Sequence, residues 1–243
     1  YLIWLQLQTM KKHDLEVETE RVISHFFILL DKHRTIVNNL KYPFNKKSFQ
    51  MQTQTKQSYE GYAAINKCIN ILQIIFILHN YINYKYSIPK YPRGEFELIR
   101  KLINTYSSIL KKQMTHIQYF EYLLDITFKE LDNHTLYCFG QYFHNIYAIL
   151  KLLNDNKNNI NIEEYMRTLR AEFIQDEFLL IYYYAFTYKD NGEKKFKKLI
   201  EETGFFHNLH KEKLDCDPDT IGSEEHKNGI PFELYAPSAF NHD

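Results

Sequence analysis

Apolar residues recur at intervals of three and four along most of this chain, which is the spacing of one face of an α-helix. The first such segment covers residues 1–41. Its first half, "QLQTMKKHDLEVETER", is polar with a weak apolar stripe, whereas its second half has a clear apolar face. That face consists of Val22, Phe26, Leu29, His33, Ile36 and Leu40. We predict one long helix that Pro43 ends, with His25 and His33 as ordinary buried imidazoles on its core side.

The rest of the chain continues this pattern as far as residue 214. Residues 44–57 are polar and Gln-rich and are predicted to form a loop. Helices are predicted at 59–84, 95–112 and 115–131 from their apolar spacing. The cleanest stripe belongs to a helix over 136–153 and consists of Leu136, Phe139, Phe143, Ile146, Leu150 and Leu153.

Two more helices complete the pattern. Residues 165–186, "YMRTLRAEFIQDEFLLIYYYAF", read as one buried helix. A turn and a short basic amphipathic helix containing "EKKFKKL" follow, and Gly204 is predicted to stop that helix.

The pattern as a whole predicts an all-α protein, a single multi-helix domain of about seven or eight helices with no substantial sheet. Only 7 Gly and 6 Pro interrupt the chain, and strand alternation is too short to build a sheet. We divide the chain into a polar linker helix at 1–21, a helical core domain at 22–214, and a C-terminal segment at 215–243. The last segment shows no period and is predicted to pack on the core as irregular chain.

Composition narrows the class of protein. Apolar residues make up 44% of the chain, which is enough for a sizeable core, and the formal net charge is zero. The zero charge argues against a nucleic-acid binder, which usually carries a basic excess. Three widely separated cysteines argue against a disulfide framework and indicate a reducing, cytosolic compartment. The longest purely apolar run, 74–78, is too short to cross a membrane.

Segment 165–186 carries charges on its apolar stripe. The stripe consists of Met166, Arg170, Phe173, Glu177, Leu180 and Tyr184. Arg170 and Glu177 lie two turns apart, so they are not expected to pair directly, and each needs a partner because a buried unpaired charge costs several kcal/mol. The preceding helix offers such partners, and we expect Arg170 to bind there, between Tyr142 and Lys151.

Three interpretations of these charges stay open. The first is an Arg–Glu–Tyr network that fixes the register of the helices. The second is a polar site in which His144, Arg170 and Glu177 are catalytic candidates. In that case Tyr142, Asn145 and Tyr147 are ligand-binding candidates. The third is that the charges face water.

Two further polar clusters lie near the end of the predicted helical core. His207 and His210 lie upstream of Asp215 and Asp217, and such residues can bind zinc. Because no third ligand follows at a fixed spacing, we predict a solvated helix end and no metal site. The lysines of "EKKFKKL" are interpreted as a solvated helix face rather than a phosphate site. Gly-rich phosphate loops and the GxSxG and HExxH motifs are absent from the sequence, and no cofactor is predicted.

Five segments in this order resemble the AbiC-like phage abortive-infection family. They are "HFFILLDKHRTIVNNL", "GYAAINKCINIL", "GQYFHNIYAILKLL", residues 165–186 and "GEKKFKKLIEETGFFHNL". The family's fourth segment commonly reads "Y…LRAQLS…EL.LLFYN", and the matching residues here are Tyr165, Leu169, Arg170, Ala171, Glu177 and Leu180. Its third commonly reads "YFRHLY.ILK", matched here by Tyr142, Phe143, Tyr147, Leu150 and Lys151. His144 stands where arginine is usual, and "RAEFI" departs from "RAQLS".

The resemblance implies bacterial antiphage defence, by sensing phage or by executing growth arrest. It also implies an N-terminal membrane anchor before the linker helix 1–21. The protein would then lie at the cytoplasmic side of the bacterial inner membrane, with this fragment itself soluble. The implied partners are the membrane, a phage component or partner protein, and a second copy of the chain.

The resemblance names a process rather than a reaction, so whether the chain is an enzyme stays open. One alternative is a divergent helical ribonuclease that uses His144 with Arg170 and Glu177. Another is a non-catalytic helical binding module that controls a partner effector.

Overall fold

The structure is a computed structural model that describes residues 2–45, 56–70, 72, 121–122, 124–125, 128, 137–190, 192–209 and 235–240. The elements are α1 (Leu2–Asn39), β1 (Lys41–Asn45), β2 (Lys56–Glu60), a helical stretch over residues 62–70, α2 (Tyr137–Asp155), α3 (Ile162–Ala171), α4 (Gln175–Thr187), α5 (Lys195–Thr203), and 3₁₀ helices at Phe205–Asn208 and Pro237–Ala239. The predicted all-α class is confirmed, with six helices in the described part of the chain. The helix predicted over 95–112 and most of that over 115–131 lie outside the described residues.

A short antiparallel hairpin follows α1, so the loop predicted at 44–57 is wrong at both of its ends. β1 pairs with β2 in a register that sets Lys41 opposite Glu60 and Pro43 opposite Ser58. Helix α1 ends at Asn39, before Pro43 is reached. Apolar and polar residues do not alternate along these strands. Backbone hydrogen bonds can hold two paired strands together without an apolar face, so the sequence carries no signal for this hairpin. Gly61, with φ of 58°, then turns the chain into the helical stretch 62–70.

Helix α1 packs on the core through its second half only. The first buried side chain along it is Val22, and every described side chain from Ile3 to Glu18 is exposed. The predicted apolar face is buried or half-buried as expected, including His33. The expectation for His25 is wrong, because it lies on the solvent side, next to the buried Phe26. None of the described helices is long and apolar enough to span a bilayer.

Helices α2 to α5 enclose an aromatic core. The predicted stripe of α2 is buried at each described position, from Phe139 to Leu153. The single helix predicted over 165–186 is wrong, because residues 172–174 separate α3 from α4. Helix α5 ends as predicted at Gly204, which adopts the left-handed conformation with φ of 59°.

The described part of the C-terminal segment, 235–240, lies against this core. Tyr235 donates its hydroxyl hydrogen to the Tyr182 carbonyl at 2.7 Å, and the Ala236 N–H donates to Glu201 at 2.8 Å. The buried apolar residues, including Tyr235 and Phe240, form one continuous cluster.

Candidate functional site

Two buried side chains from other helices meet Glu177, which lies in the first turn of α4. The Glu177 side chain is 0% exposed. Tyr142 on α2 donates its hydroxyl hydrogen to Oε1 at 3.1 Å, and the Ile174 N–H donates to Oε2 at 3.1 Å. Nε2 of His33 on α1 lies 3.5 Å from Oε1. One carboxylate therefore connects α1, α2 and α4.

The position of Glu177 explains why α4 begins where it does. Glu177 is the third residue of α4, where a glutamate can reach back to a backbone N–H that the helix leaves free. Its partner, Ile174, is extended, with φ of −83° and ψ of 163°. Asp176 and Glu177 also place negative charge at the positive end of the helix dipole. The break between α3 and α4 is thus stabilised by a side chain that the stripe pattern had assigned to a helix interior.

His33 is packed between two aromatic rings beside Glu177. Its ring stacks on Phe173 at a centroid distance of 4.7 Å and lies 5.4 Å from that of Tyr142. The prediction that His33 is buried is confirmed, since it is 2% exposed. Burial raises the pKa of the Tyr142 hydroxyl well above its usual range, and the charge of Glu177 raises it further. That hydroxyl therefore stays protonated and keeps donating its hydrogen bond.

A surface ion pair secures α1 next to this cluster. Arg34 donates from Nε and Nη2 to the two carboxylate oxygens of Glu172 at 2.8 and 2.6 Å. The hydrogen bond and charge of Arg34 hold the pKa of Glu172 below its usual range, against the opposing effect of burial. Glu172 lies in the break between α3 and α4, so the pair ties α1 to that break.

The contacts around Glu177 are suited to fixing the packing of helices rather than to converting a substrate. Glu177, His33 and Tyr142 are each almost completely removed from solvent. A catalytic acid or base must come within hydrogen-bond reach of a bound substrate. We call these three side chains the polar core cluster. Their contacts connect α1, α2 and α4, which are far apart in the sequence.

Arg170 is buried as the sequence predicted, but its placement differs from the expected one. It is 2% exposed and lies in the last turn of α3. Nη1 donates to Glu163 at 3.2 Å, and Nη2 donates to the Thr203 carbonyl at 3.4 Å. These partners lie on α3 itself and at the end of α5, rather than on α2 as expected. Burial lowers the pKa of the guanidinium, and the nearby Glu163 carboxylate opposes that effect.

The remaining candidates on α2 point in different directions. His144 is exposed, whereas Asn145 is buried and donates to the Leu29 carbonyl on α1 at 3.0 Å. Tyr147 is half-buried. The structure therefore brings Tyr142 to Glu177, as the network interpretation expects. His144 is exposed to solvent and lies apart from the buried Glu177.

A second feature, which we call the aromatic cleft, lies where α2, α4 and α5 meet. It is a shallow cleft open to solvent, and it is lined by Phe143, His144, Tyr147, Tyr184, Tyr188, Asp190 and Phe196. Two of the sequence candidates, His144 and Tyr147, thus belong to it. The carboxylate of Asp190 accepts a hydrogen bond from Lys195 at 2.8 Å.

The basic stretch "EKKFKKL" is largely neutralised by neighbouring acids. Lys194 lies 3.2 Å from Glu121, Lys195 pairs with Asp190, Lys197 lies 3.3 Å from Glu201, and Lys198 lies 3.8 Å from Glu202. Because each lysine already has a carboxylate within 4 Å, this geometry favours the solvated helix face over a phosphate site.

Within the described residues, no group of three or more His, Cys, Asp or Glu side chains is placed to hold a metal ion. His207 is exposed in the 3₁₀ helix that follows α5. Its suggested zinc partners, His210, Asp215 and Asp217, lie outside the described residues.

Sequence reasoning missed two members of the region around Glu177. His33 was recognised as buried, but its pairing with Glu177 joins residues 144 positions apart and leaves no local pattern. The sequence pattern places Glu172 inside one continuous helix, so its position at a helix break is not predicted. A usable signal for the helix start was the acidic pair Asp176–Glu177, since acids are favoured in a first turn.

The fold and its polar core cluster define a helical domain in which one buried carboxylate, that of Glu177, connects three helices. Residues 134–214 match the model of a family described as "Putative phage abortive infection protein". This match confirms the family resemblance seen in the sequence, over a segment that contains α2 to α5 and is less than half of the 243-residue chain. No curated protein and no solved structure gave a significant match.

Proposed function

We propose that this chain acts in bacterial abortive infection, as a helical domain held at the cytoplasmic side of the inner membrane. The observation that carries the proposal is the family match over 134–214. That segment holds the four helices α2 to α5, Arg170, Glu177 and the whole aromatic cleft.

Helix α1 is proposed to connect this domain to a membrane anchor, which the family resemblance implies. The support is the placement of its first half, in which all described side chains from Ile3 to Glu18 are exposed. A helical segment with no broad apolar face, whose described side chains are exposed, is typical of a connection between two parts of a protein. Several apolar side chains near its start, Trp4 and Met10 among them, are also exposed.

A non-catalytic role is proposed for Arg170 and Glu177. The ribonuclease alternative requires His144 to act together with these two residues on one RNA. His144 is exposed, whereas Glu177 is fully buried among apolar residues. This placement favours a domain that senses or binds over one that cuts RNA with this set of residues.

The test is phage plaquing on bacteria that produce the full-length protein, with RNA integrity and membrane potential followed during infection. We expect fewer plaques than on cells with an empty vector, and we expect the protein in the membrane fraction after lysis. Equal plaquing on both strains would refute the defence role. Full-length protein in the soluble fraction would refute the anchor.

Two matched variants separate the alternatives in the same assay. His144→Ala changes an exposed side chain, so it should leave the fold intact. If the domain is not a ribonuclease of the proposed type, infected cells should show the same RNA pattern with this variant as with the natural sequence. RNA cleavage that His144→Ala abolishes would instead establish the ribonuclease alternative. Glu16→Gln, an exposed change on α1, is the control.

A further inference from the structure

Helix α1 carries a narrow apolar stripe on a different side from the face that packs on the core. Counted in heptads, its members occupy the first and fourth positions, which share one side of a helix. Their exposed fractions run from 51% to 74%, whereas the core-facing stripe is buried from Val22 onward. We call this stripe the α1 seam, and it consists of Ile3, Leu7, Met10, Val17 and Ile28.

The first half of α1 is a helix whose described side chains, from Ile3 to Glu18, are all exposed. Such a helical segment is marginal in water by itself, because most helical stability in proteins comes from packing an apolar face. A stripe that is only two heptad positions wide is the type that packs against another helix in a coiled coil. The α1 seam therefore fits a second helix with a stripe of the same width.

Two charged residues within the α1 seam decide how a second copy of α1 can pack on it. Asp14 and Arg21 occupy the heptad positions between Leu7 and Ile28. A parallel pair in register would set Asp14 against Asp14 and Arg21 against Arg21, and such like-charge contacts are costly. In an antiparallel pair with Ile3 opposite Ile28, Asp14 lies one layer away from Arg21 of the other copy. Both side chains lean toward the start of their own helix, which in this orientation is toward each other.

The residues on either side of the α1 seam favour the same register. In this antiparallel pair Lys11 lies opposite Glu18 of the other copy, and His13 lies opposite Glu20. All four side chains are exposed in the single chain, and symmetry makes each contact occur twice. A register moved by one heptad would set Lys11 against Lys11 or Glu18 against Glu18. Charge complementarity therefore selects one orientation and one register.

We propose that two copies of this chain dimerise through an antiparallel coiled coil of α1, with Ile3 of each copy opposite Ile28 of the other. The exposed first half of each helix is then covered by the second half of the other. The two Ile3 residues lie at opposite ends of the pair, about 38 Å apart. The dimer does not depend on the proposed defence role. Membrane anchors on both copies can enter one bilayer when the helix pair lies along its surface.

Sedimentation of the purified 243-residue chain tests for the dimer. We expect a concentration-dependent dimer in the micromolar range. Val17→Glu should raise the dissociation constant by about tenfold or more, because it places a second carboxylate beside Asp14 of the other copy. Leu15→Glu is the matched control, since Leu15 is 52% exposed and Val17 is 51% exposed, but Leu15 lies off the α1 seam. The control should leave the dissociation constant unchanged.

Exchange of the charges tests the orientation. Asp14→Arg and Arg21→Asp should each weaken the dimer, because each sets two like charges near each other across the pair. The chain that carries both substitutions should dimerise nearly as well as the natural chain. Weakening by each single change together with recovery in the double variant is expected only from an antiparallel pair.

Disulfide formation tests the register. A chain with both Ile3→Cys and Ile28→Cys should form a covalent dimer under mild oxidation. Neither single variant should do so, because identical positions lie at opposite ends of the pair. The natural chain, which has three cysteines of its own, is the control for unrelated cross-links.

Four results would overturn the proposal, provided that circular dichroism shows each variant to be folded. The first is a chain that stays monomeric into the millimolar range. The second is an equal effect of Val17→Glu and Leu15→Glu. The third is cross-linking of the Ile3→Cys variant alone, which would indicate a parallel pair. The fourth is a monomer that binds phosphatidylglycerol vesicles and loses this binding with Val17→Glu, which would show that the α1 seam contacts lipid instead.

Discussion

Replacing Glu177 by alanine should destabilise the domain far more than replacing any exposed acid. The change removes the acceptor for the Tyr142 hydroxyl and for the Ile174 N–H, and it also removes the group beside His33. The Tyr142 side chain is 0% exposed, so water cannot easily replace the lost acceptor. The hydroxyl would stay protonated and without a partner in the core.

The magnitude follows from these two contacts. A buried donor left without its partner costs about 1–3 kcal/mol. Loss of a side-chain cap at the start of a helix costs about 0.5–2 kcal/mol. We therefore expect Glu177→Ala to lower the free energy of unfolding by about 2–5 kcal/mol. Native domains are typically stable by only about 5–15 kcal/mol, so this loss is a large fraction of the total.

The assay is urea unfolding followed by far-ultraviolet circular dichroism, with Glu16→Gln as the exposed control. Adding Tyr142→Phe completes a double-mutant cycle. Tyr142→Phe should destabilise the natural chain by about 1–3 kcal/mol, because it removes the donor of a buried hydrogen bond and leaves Oε1 of Glu177 without it. In the Glu177→Ala background it should instead recover part of the lost stability, because it removes the buried hydroxyl that no longer has an acceptor. The cycle therefore measures the Tyr142–Glu177 contact directly.

Two results would contradict this reasoning. One is a loss with Glu177→Ala no larger than that with Glu16→Gln. The other is an equal effect of Tyr142→Phe in both backgrounds, which would mean that the hydroxyl and the carboxylate are not coupled.

Three further predictions concern Arg170, Arg34 and Cys68. Arg170→Met should lower the free energy of unfolding, measured in urea, by about 1–3 kcal/mol. The loss is moderate because the Glu163 side chain is 40% exposed and water can hydrate it when the guanidinium is gone. A larger loss would show that the substitution leaves a buried charge without a partner. Arg34→Gln should destabilise the protein at neutral pH. The destabilisation should shrink as the pH falls through the lowered pKa of Glu172, because protonation of Glu172 ends the ion pair in the natural chain. A stability difference between variant and natural chain that does not change with pH would contradict the pairing. Burial raises the pKa of the Cys68 thiol to about 12, so mass spectrometry should find this cysteine unlabelled by iodoacetamide at pH about 8 in the folded protein and labelled in urea.

The helical class and the core-facing stripes were predictable from the sequence. The stripe of α2 and the second half of α1 depend on residues three and four apart, which lie on one face in any α-helix. Burial of Arg170 and Glu177 could be inferred for the same reason, since both interrupt an apolar stripe. Local periodicity carries this information because it requires no knowledge of which helices are neighbours.

The break at 172–174 and the partners of the charged residues were decided by tertiary structure. The stripe from Met166 to Leu180 is buried as the sequence indicates and Tyr184 is half-buried, although two helices rather than one carry it. Residues 172–174 include no Gly or Pro, the residues that usually indicate the end of a helix in a sequence. It is held by contacts from Glu172 to Arg34, from Phe173 to His33, and from Glu177 to Tyr142.

These contacts join residues that are far apart along the chain, so no pattern in a local window can reveal them. The same holds for the aromatic cleft, in which Asp190 and His144 meet only because α2, α4 and α5 pack together. Sequence determined the core-facing stripes and so most of the side chains that are buried, because burial follows helix periodicity. Tertiary packing determined what each buried polar group would bind, because hydrogen bonding depends on distances of about 3 Å between elements.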